Sequence, residues 1–174
     1  MNNGSSDKVV NVVDEMVNQV VEPPPPGFEL PLLLLSGFRT LIDRLHAELA
    51  RRGHPNVRPA YGFAMQAIGT EGATATEIGQ RLGVSKQAAG KTVDRLDALG
   101  YVDRIDDDAD GRRKLIRLTP RGVDALVQSA RIFDELRADW VRTLGANRVA
   151  DLEASLRTMV PAPTFRLDVP GWLS

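Results

Sequence analysis

The residues best suited to chemistry in this chain are polar and clustered: Ser85, Lys86, Gln87 and Lys91 stand close together, and Arg112 and Arg113 follow further on. The carbonyl oxygen and the NH2 of its one side-chain amide let a glutamine such as Gln87 pair bidentately with adenine, and a lysine such as Lys86 can donate to guanine. Lys91, further along, suits a phosphate. A helix beginning after Ser85 would add its own amides and the partial positive charge of its N-terminus. Lys and Gln are equally common on solvated helix faces, so the reading depends on what carries them.

Other chemistries lack their residues. Cysteine is absent, which excludes disulfides, Cys-ligated zinc, thiol nucleophiles and thiol redox switches. His46 and His54 are the only imidazoles, too few for a metal site or a His-dependent catalytic pair, so no catalytic residue, cofactor or metal is expected. The acidic stretch from Asp106 to Asp110 suggests a calcium loop but lacks the terminal bidentate Glu at the right spacing. No Ser-His pair or glycine-rich phosphate loop appears. An enzyme is therefore not expected.

The elements that must position the polar cluster are legible in the 174 residues. Eight of the 11 prolines fall at Pro23 to Pro26, Pro31, Pro161, Pro163 and Pro170, which bounds a folded unit from about Leu30 to Val160. Ahead of it lies an extension, 1–29, with a stiff polyproline linker. Its Val9, Val13, Val17 and Val20 recur at helical spacing, as in a loose tail or in a helix that docks on a partner subunit. Behind it is a tail, 161–174. Leu30 to Arg52 reads as a helix, with Pro31 early and Leu34, Phe38, Leu41, Leu45 and Leu49 on one stripe. A second helix follows Pro59 and stops near Gly69. Thr74 and Glu77 have the spacing of a capping box, so a third helix runs with Ile78 and Leu82 inward to Gly83. Ser85 then caps a fourth, through Val93, Leu96 and Leu99 to Gly100. Two short helices joined by a tight glycine-marked turn predict a helix-turn-helix, which a generic helical hairpin would imitate.

A hairpin should follow: Tyr101 to Ile105 and Lys114 to Thr119 are strand-like, with a polar turn between them. Thr119 and Pro120 open a long helix in which Leu126, Ala130, Phe133, Trp140 and Leu144 share a face. Gly145 breaks it, and Asn147 is placed to cap a last helix lined by Val149, Leu152, Leu156 and Met159. The fold class expected is mostly α (α+β), a winged helix-turn-helix with a helical region formed by the N- and C-terminal helices. The apolar stripes of those helices exceed what a compact winged domain could cover, which argues for a homodimer.

From about Leu30 to Val160 the sequence resembles the MarR family of bacterial winged-helix transcription regulators. The motifs that carry the resemblance are Ala75 to Ser85, then Val93-Asp94-Arg95-Leu96 with Leu99-Gly100-Tyr101-Val102, then Asp110-Gly111-Arg112-Arg113 leading to Leu118-Thr119-Pro120-Arg121-Gly122. The resemblance implies a dimerisation helix over 30–56, a DNA-binding winged helix-turn-helix over 57–120 and C-terminal dimerisation helices over 121–160. It implies a repressor that reads a palindromic double-stranded operator, with helix 85–99 in the major groove. Arg112 matches the tip arginine that enters the minor groove, and Asp110 the aspartate that braces the turn by pairing with an arginine. Arg95 matches a recurrent arginine that can bridge to the wing. With Thr74, Gly90 and Arg113 these complete the candidate DNA-binding set. Small aromatic or other anionic effectors often bind such proteins beside the dimer region. Phe38, Arg39, His46, Tyr61, Met65 and Phe133 are the candidates here, with core packing as the plainer role of each. Two departures stand out: Gly90 replaces a frequent hydroxyl residue, and Asp107-Asp108 stands where Asp-Pro is usual.

The charge balance has the sign such a protein needs, but it is slight. The chain is at -1, while residues 75 to 121 hold 10 basic and 8 acidic groups. Binding should rest on geometry and dimer avidity, and still weaken with salt. The rival reading is a winged helix used purely for protein interaction, which should expose apolar anchors rather than Lys86, Gln87, Lys91 and Arg112. No stretch reaches the ~18 apolar residues of a membrane helix and no signal peptide is evident, so the location expected is cytoplasmic, without membrane partners.

Overall fold

The computed structural model describes residues 25–107 and 110–160, with the side chains of Asp107 and of residues 110–113 outside the description. The elements run α1 (Glu29–Arg51), α2 (Pro59–Ile68), α3 (Ala75–Leu82), α4 (Lys86–Ala98), β1 (Val102–Asp107), β2 (Asp110–Leu118), α5 (Pro120–Leu144) and α6 (Ala146–Met159). Two units divide the chain: α1 begins in the first, Met1–Gly37, and continues into the second, Phe38–Ser174, where the core lies.

Local chemistry sets the helix starts. The Thr74 hydroxyl accepts from the Glu77 amide at 3.3 Å, and the Glu77 carboxylate accepts from the Thr74 amide at 2.7 Å. This capping box satisfies two amides that the first turn of α3 would leave bare. Gly83 ends α3 in the left-handed region at φ 69°, which glycine adopts without a Cβ penalty. Gly79 serves the turn differently, since a Cβ there would lie 2.9 Å from the Val84 carbonyl oxygen. The tight path into α4 therefore needs a glycine one turn before α3 ends. Ser85 caps α4 through the Ala88 amide at 3.2 Å, and Thr119 caps α5 through Gly122 at 3.1 Å.

The strands pair antiparallel, with Val102 opposite Leu118 and Ile105 opposite Leu115. Ala73 adds a third backbone partner on the other side of β2, exchanging two hydrogen bonds of 3.0 and 2.9 Å with Ile116. That contact ties the entry to α3 to the hairpin. The core is aliphatic apart from Tyr101, which is fully buried, and gathers Met65, Ile68, Ile78, Leu82, Val93, Leu96 and Val102 with Leu45, Leu49, Ile132 and Leu136. Mostly helical, with a two-stranded wing after a helix-turn-helix, the chain has the winged-helix fold its sequence implies.

Three expectations shift in detail. Gly145, not Asn147, is the N-cap of α6: its amide closes α5 on Val141 and its carbonyl accepts from Val149 at 3.3 Å, so one residue serves both helices and Asn147 falls inside the second. The strands extend two residues beyond Ile105 and begin at Asp110 rather than Lys114, because cross-strand pairing continues into the polar turn. On α5 the buried positions are Gly122, Ala125, Ile132 and Leu136, whereas Phe133 and Leu144 of the expected face are exposed, as are Leu152 and Leu156 on α6. The valine pattern of the extension, read as a loose tail or a docking helix, and the 161–174 tail lie outside the described residues.

Candidate nucleic-acid interface

Helix α4 is anchored along one side by Ala89, Val93 and Leu96, each at most 1% exposed. Two rows of residues spaced by four stand on its other sides. The first, Lys86, Gly90 and Asp94, faces a cleft of about 660 Å³ closed by Thr74, Thr76 and Glu77 of the α3 entry and by Arg104 and Lys114 of the hairpin. The second row is Gln87, Lys91 and Arg95, all exposed. Among the described residues, Lys86, Gln87 and Lys91 have no hydrogen-bond or ion-pair partner. Ser85 is engaged in capping, and the Thr74 hydroxyl is engaged in its box, where it also donates to Glu77 at 2.9 Å.

The structure brings Thr74, Lys86 and Gly90 to the cleft, with Ser85 at the head of the same helix, while Gln87 and Lys91 stand on the adjoining row. Gly90 costs α4 roughly 1 kcal/mol of helix propensity, and a Cβ there would meet nothing within 4 Å. The chain's own packing gives no reason for that glycine.

Among the described residues, Arg95 makes no bridge to the wing. It lines a second cleft of about 550 Å³ with Pro55, Arg58, Tyr61 and Leu99. The row facing the hairpin places Asp94 there instead, and the bridging cation comes from the other element: Arg104 on β1 pairs with Asp94 and lies 3.6 Å from Asp97. Sequence reasoning missed Arg104. The available signal was a pair of carboxylates, Asp94 and Asp97, on consecutive turns of a helix followed at once by a strand carrying an arginine. Lys114 pairs across the hairpin with Asp106. The backbone of Asp110, Arg112 and Arg113 lies in β2, with Asp110 opposite Asp107; their side-chain roles fall outside the described residues.

The six effector candidates are not gathered at one described cleft. Met65 is packed in the core, Tyr61 lines the second cleft, and Phe38, Arg39 and Phe133 are exposed. His46 is half-buried, and burial lowers its pKa against the opposing pull of Asp43. Sequence reasoning also missed a cluster behind the interface, in which the buried His54 meets the buried Tyr101 and the half-exposed Asp124. No group of three or more potential metal ligands occurs among the described residues, and no described helix is long and apolar enough to cross a membrane.

Comparison with known proteins agrees with this architecture. A family model described as the MarR family matches residues 58–113, from the start of α2 into the wing. Among solved structures, the reduced form of MarR from E. coli is similar at a TM-score of 0.63 and 24% identity, over 80% of this chain and 99% of that one. A cysteine-to-serine mutant of E. coli MarR complexed with operator DNA aligns at 0.60 and 24%, over 76% and 94%. A point mutant of MepR from Staphylococcus aureus bound to an oligodeoxyribonucleotide aligns at 0.54 and 21%, over 76% and 96%. No curated protein matches in sequence. The chain therefore has the fold of the MarR-family transcription regulators.

Proposed function

We propose that this chain is a sequence-specific DNA-binding regulator of the MarR type, acting as a homodimeric repressor of a palindromic operator. Helix α4 enters the major groove, Arg112 enters the flanking minor groove, and a small aromatic or anionic effector releases the DNA. One observation carries the reading: Lys86, Gln87 and Lys91 project from the first turns of α4 without described partners, on a helix locked from behind by Ala89, Val93 and Leu96. Exposed hydrogen-bonding groups on a rigid helix are what base-edge reading needs. The DNA complexes of MarR and MepR support it by similarity of fold.

The dimer rests on apolar surface. Phe133, Leu144, Leu152, Leu156 and Met159 are exposed on α5 and α6, more than a solitary soluble domain commonly leaves bare. Pairing with a second copy covers them and sets two recognition helices about 34 Å apart, one turn of DNA. Selection of bound sites from a random duplex pool at physiological salt tests the whole reading. The result expected is a palindrome whose half-sites lie about one turn apart, lost when Gln87→Ala and Arg112→Ala are combined. Salt-sensitive retention without enrichment would overturn it in favour of a protein-interaction module.

A further inference from the structure

His54 and Thr119 are the only buried polar or charged side chains among the described residues, and both belong to one hydrogen-bonded joint. His54 follows the end of α1, where its amide donates to the Leu49 carbonyl at 2.8 Å. Its Nε2 lies 3.0 Å from Asp124 Oδ2 on α5, and its Nδ1 lies 3.2 Å from the Tyr101 hydroxyl. Tyr101 in turn ends α4, its amide donating to the Leu96 carbonyl at 2.9 Å, and its own carbonyl accepts from the Thr119 amide at 3.1 Å. Thr119 Oγ1 donates to the Gly100 carbonyl at 2.7 Å. Arg121 lies over the Tyr101 ring at 5.0 Å and donates to the Gly53 carbonyl at 3.0 Å.

The protons can be placed by valence. The hydrogen bond with His54 holds the Asp124 carboxyl below the usual carboxylate range, and an ionised carboxylate only accepts. Nε2 is therefore the donor, and in the neutral ring Nδ1 accepts from the Tyr101 hydroxyl. The chain Tyr101 to His54 to Asp124 thus has one donor and one acceptor at each contact. No described element other than this one carries a continuous side-chain hydrogen-bond path from the end of α1 and the first turn of α5 to the end of α4.

We propose that the Tyr101–His54–Asp124 chain is the joint that fixes the recognition helix and the root of the wing against α1 and α5, with His54 as the positioning residue. Filling space would need only an apolar side chain. Directional bonds instead select one arrangement, because a slip leaves the buried His54 ring or the buried Tyr101 hydroxyl unpaired, while the half-exposed Asp124 holds the far side of the ring from the surface. Its consequence for operator spacing rests on the DNA reading above, whereas the joint itself does not.

Because cysteine is absent, two spin labels can be placed without removing native thiols. Ala88→Cys on α4 and Ala130→Cys on α5, both exposed, give an interhelix distance by pulsed dipolar spectroscopy. Excess unlabelled protein confines the signal to pairs within one chain. The unmodified joint should give a single narrow distribution. Tyr101→Phe and His54→Leu should broaden or shift it, while His54→Gln, which keeps one donor and one acceptor, should restore it. A cooperative urea transition is required of each variant, and Tyr101→Phe alone decides the matter where His54→Leu does not fold. Narrow, unmoved distributions in Tyr101→Phe and His54→Leu would overturn the joint, since a space-filling role predicts that result.

A second arm measures unlabelled protein on operators of stepped half-site spacing. Tyr101→Phe should lose about tenfold affinity at the preferred spacing, the scale of one hydrogen bond, and tolerate neighbouring spacings better. An unaltered, sharp optimum would overturn the positioning role. Wild-type protein that prefers no site would refute the DNA reading while the spectroscopic arm still decides the joint.

Discussion

Alanine at two helical glycines should move stability in opposite directions, and the structure gives both magnitudes. Replacing glycine by alanine in a helix interior gains about 0.8–1 kcal/mol. At Gly90 the added methyl meets nothing within 4 Å, so the whole gain survives: about 1 kcal/mol, roughly a fivefold shift in the folding equilibrium. At Gly122 the methyl would stand 2.2 Å from the Tyr101 carbonyl oxygen and 3.2 Å from its carbon, so the start of α5 must retreat. That movement strains the Thr119 cap at 3.1 Å and the Thr119-to-Tyr101 backbone bond at 3.1 Å. Loss of a cap costs about 1 kcal/mol and overpacking about 1–3 kcal/mol, which leaves Gly122→Ala about 1–3 kcal/mol less stable after the propensity gain. Urea unfolding with a common slope measures both. A Gly122→Ala protein as stable as wild type, or a Gly90→Ala protein less stable, would refute the steric reasoning. Gly90→Ala carries a second readout: greater stability with weaker operator binding would mean that the glycine makes room for the sugar-phosphate chain, and unchanged binding would remove that role.

The other expectations are more direct. Arg112→Ala should weaken binding most on operators with A·T-rich flanks, where the narrow minor groove concentrates negative potential; equal loss on G·C-rich flanks, measured by titration at fixed salt, would sink the minor-groove assignment. The hydrogen bond from Arg44 holds the Asp139 carboxyl below the usual range, so its contribution to stability is present above the unfolded value near pH 3.9 and fades as pH falls through the lowered one. Asp139→Asn should therefore flatten the acid limb of a stability profile, and an unchanged limb would show that the pair contributes nothing there. Leu152→Asp with Leu156→Asp should give monomers by sedimentation while the fold still melts cooperatively; a persistent dimer would place the interface elsewhere.

The fold was legible wherever the signal is local. Thr74 with Glu77, Ser85 with Ala88 and Thr119 with Gly122 are contacts three residues apart, so residue types alone announce the helix starts. The same logic misplaced the start of α6, because the side-chain cap offered by Asn147 competed with a backbone solution at Gly145. A positive φ of 89° there lets one residue close α5 and open α6. The bridge between Ala73 and Ile116 left no trace in the pattern, since a single pair 43 positions apart carries no periodicity. Which apolar positions of α5 are covered was not legible for a related reason. Alternate stripes of a long helix are both apolar, and only the packed neighbours decide which is covered.

The interface was half legible, and the division follows the same line. Outward Lys86, Gln87 and Lys91 follow from the helical period once Ala89, Val93 and Leu96 are inward. What lies between elements did not follow: Arg104 reaches Asp94 across ten positions, and His54 reaches Tyr101 and Asp124 across 47 and 70. These contacts change the meaning of the charge count. Arg104 and Lys114 both count toward the small positive excess over 75–121, yet each is paired with aspartates of the same domain. Among the described side chains around α4, Lys86, Lys91, Arg95 and Arg58 carry no ion-pair partner. Arg112 and Arg113 of the wing would add to them in the proposed complex. On the proposed DNA reading, discrimination depends also on where α4 sits, which the ion pair from Arg104 in front of the helix and the buried His54 behind it help to set.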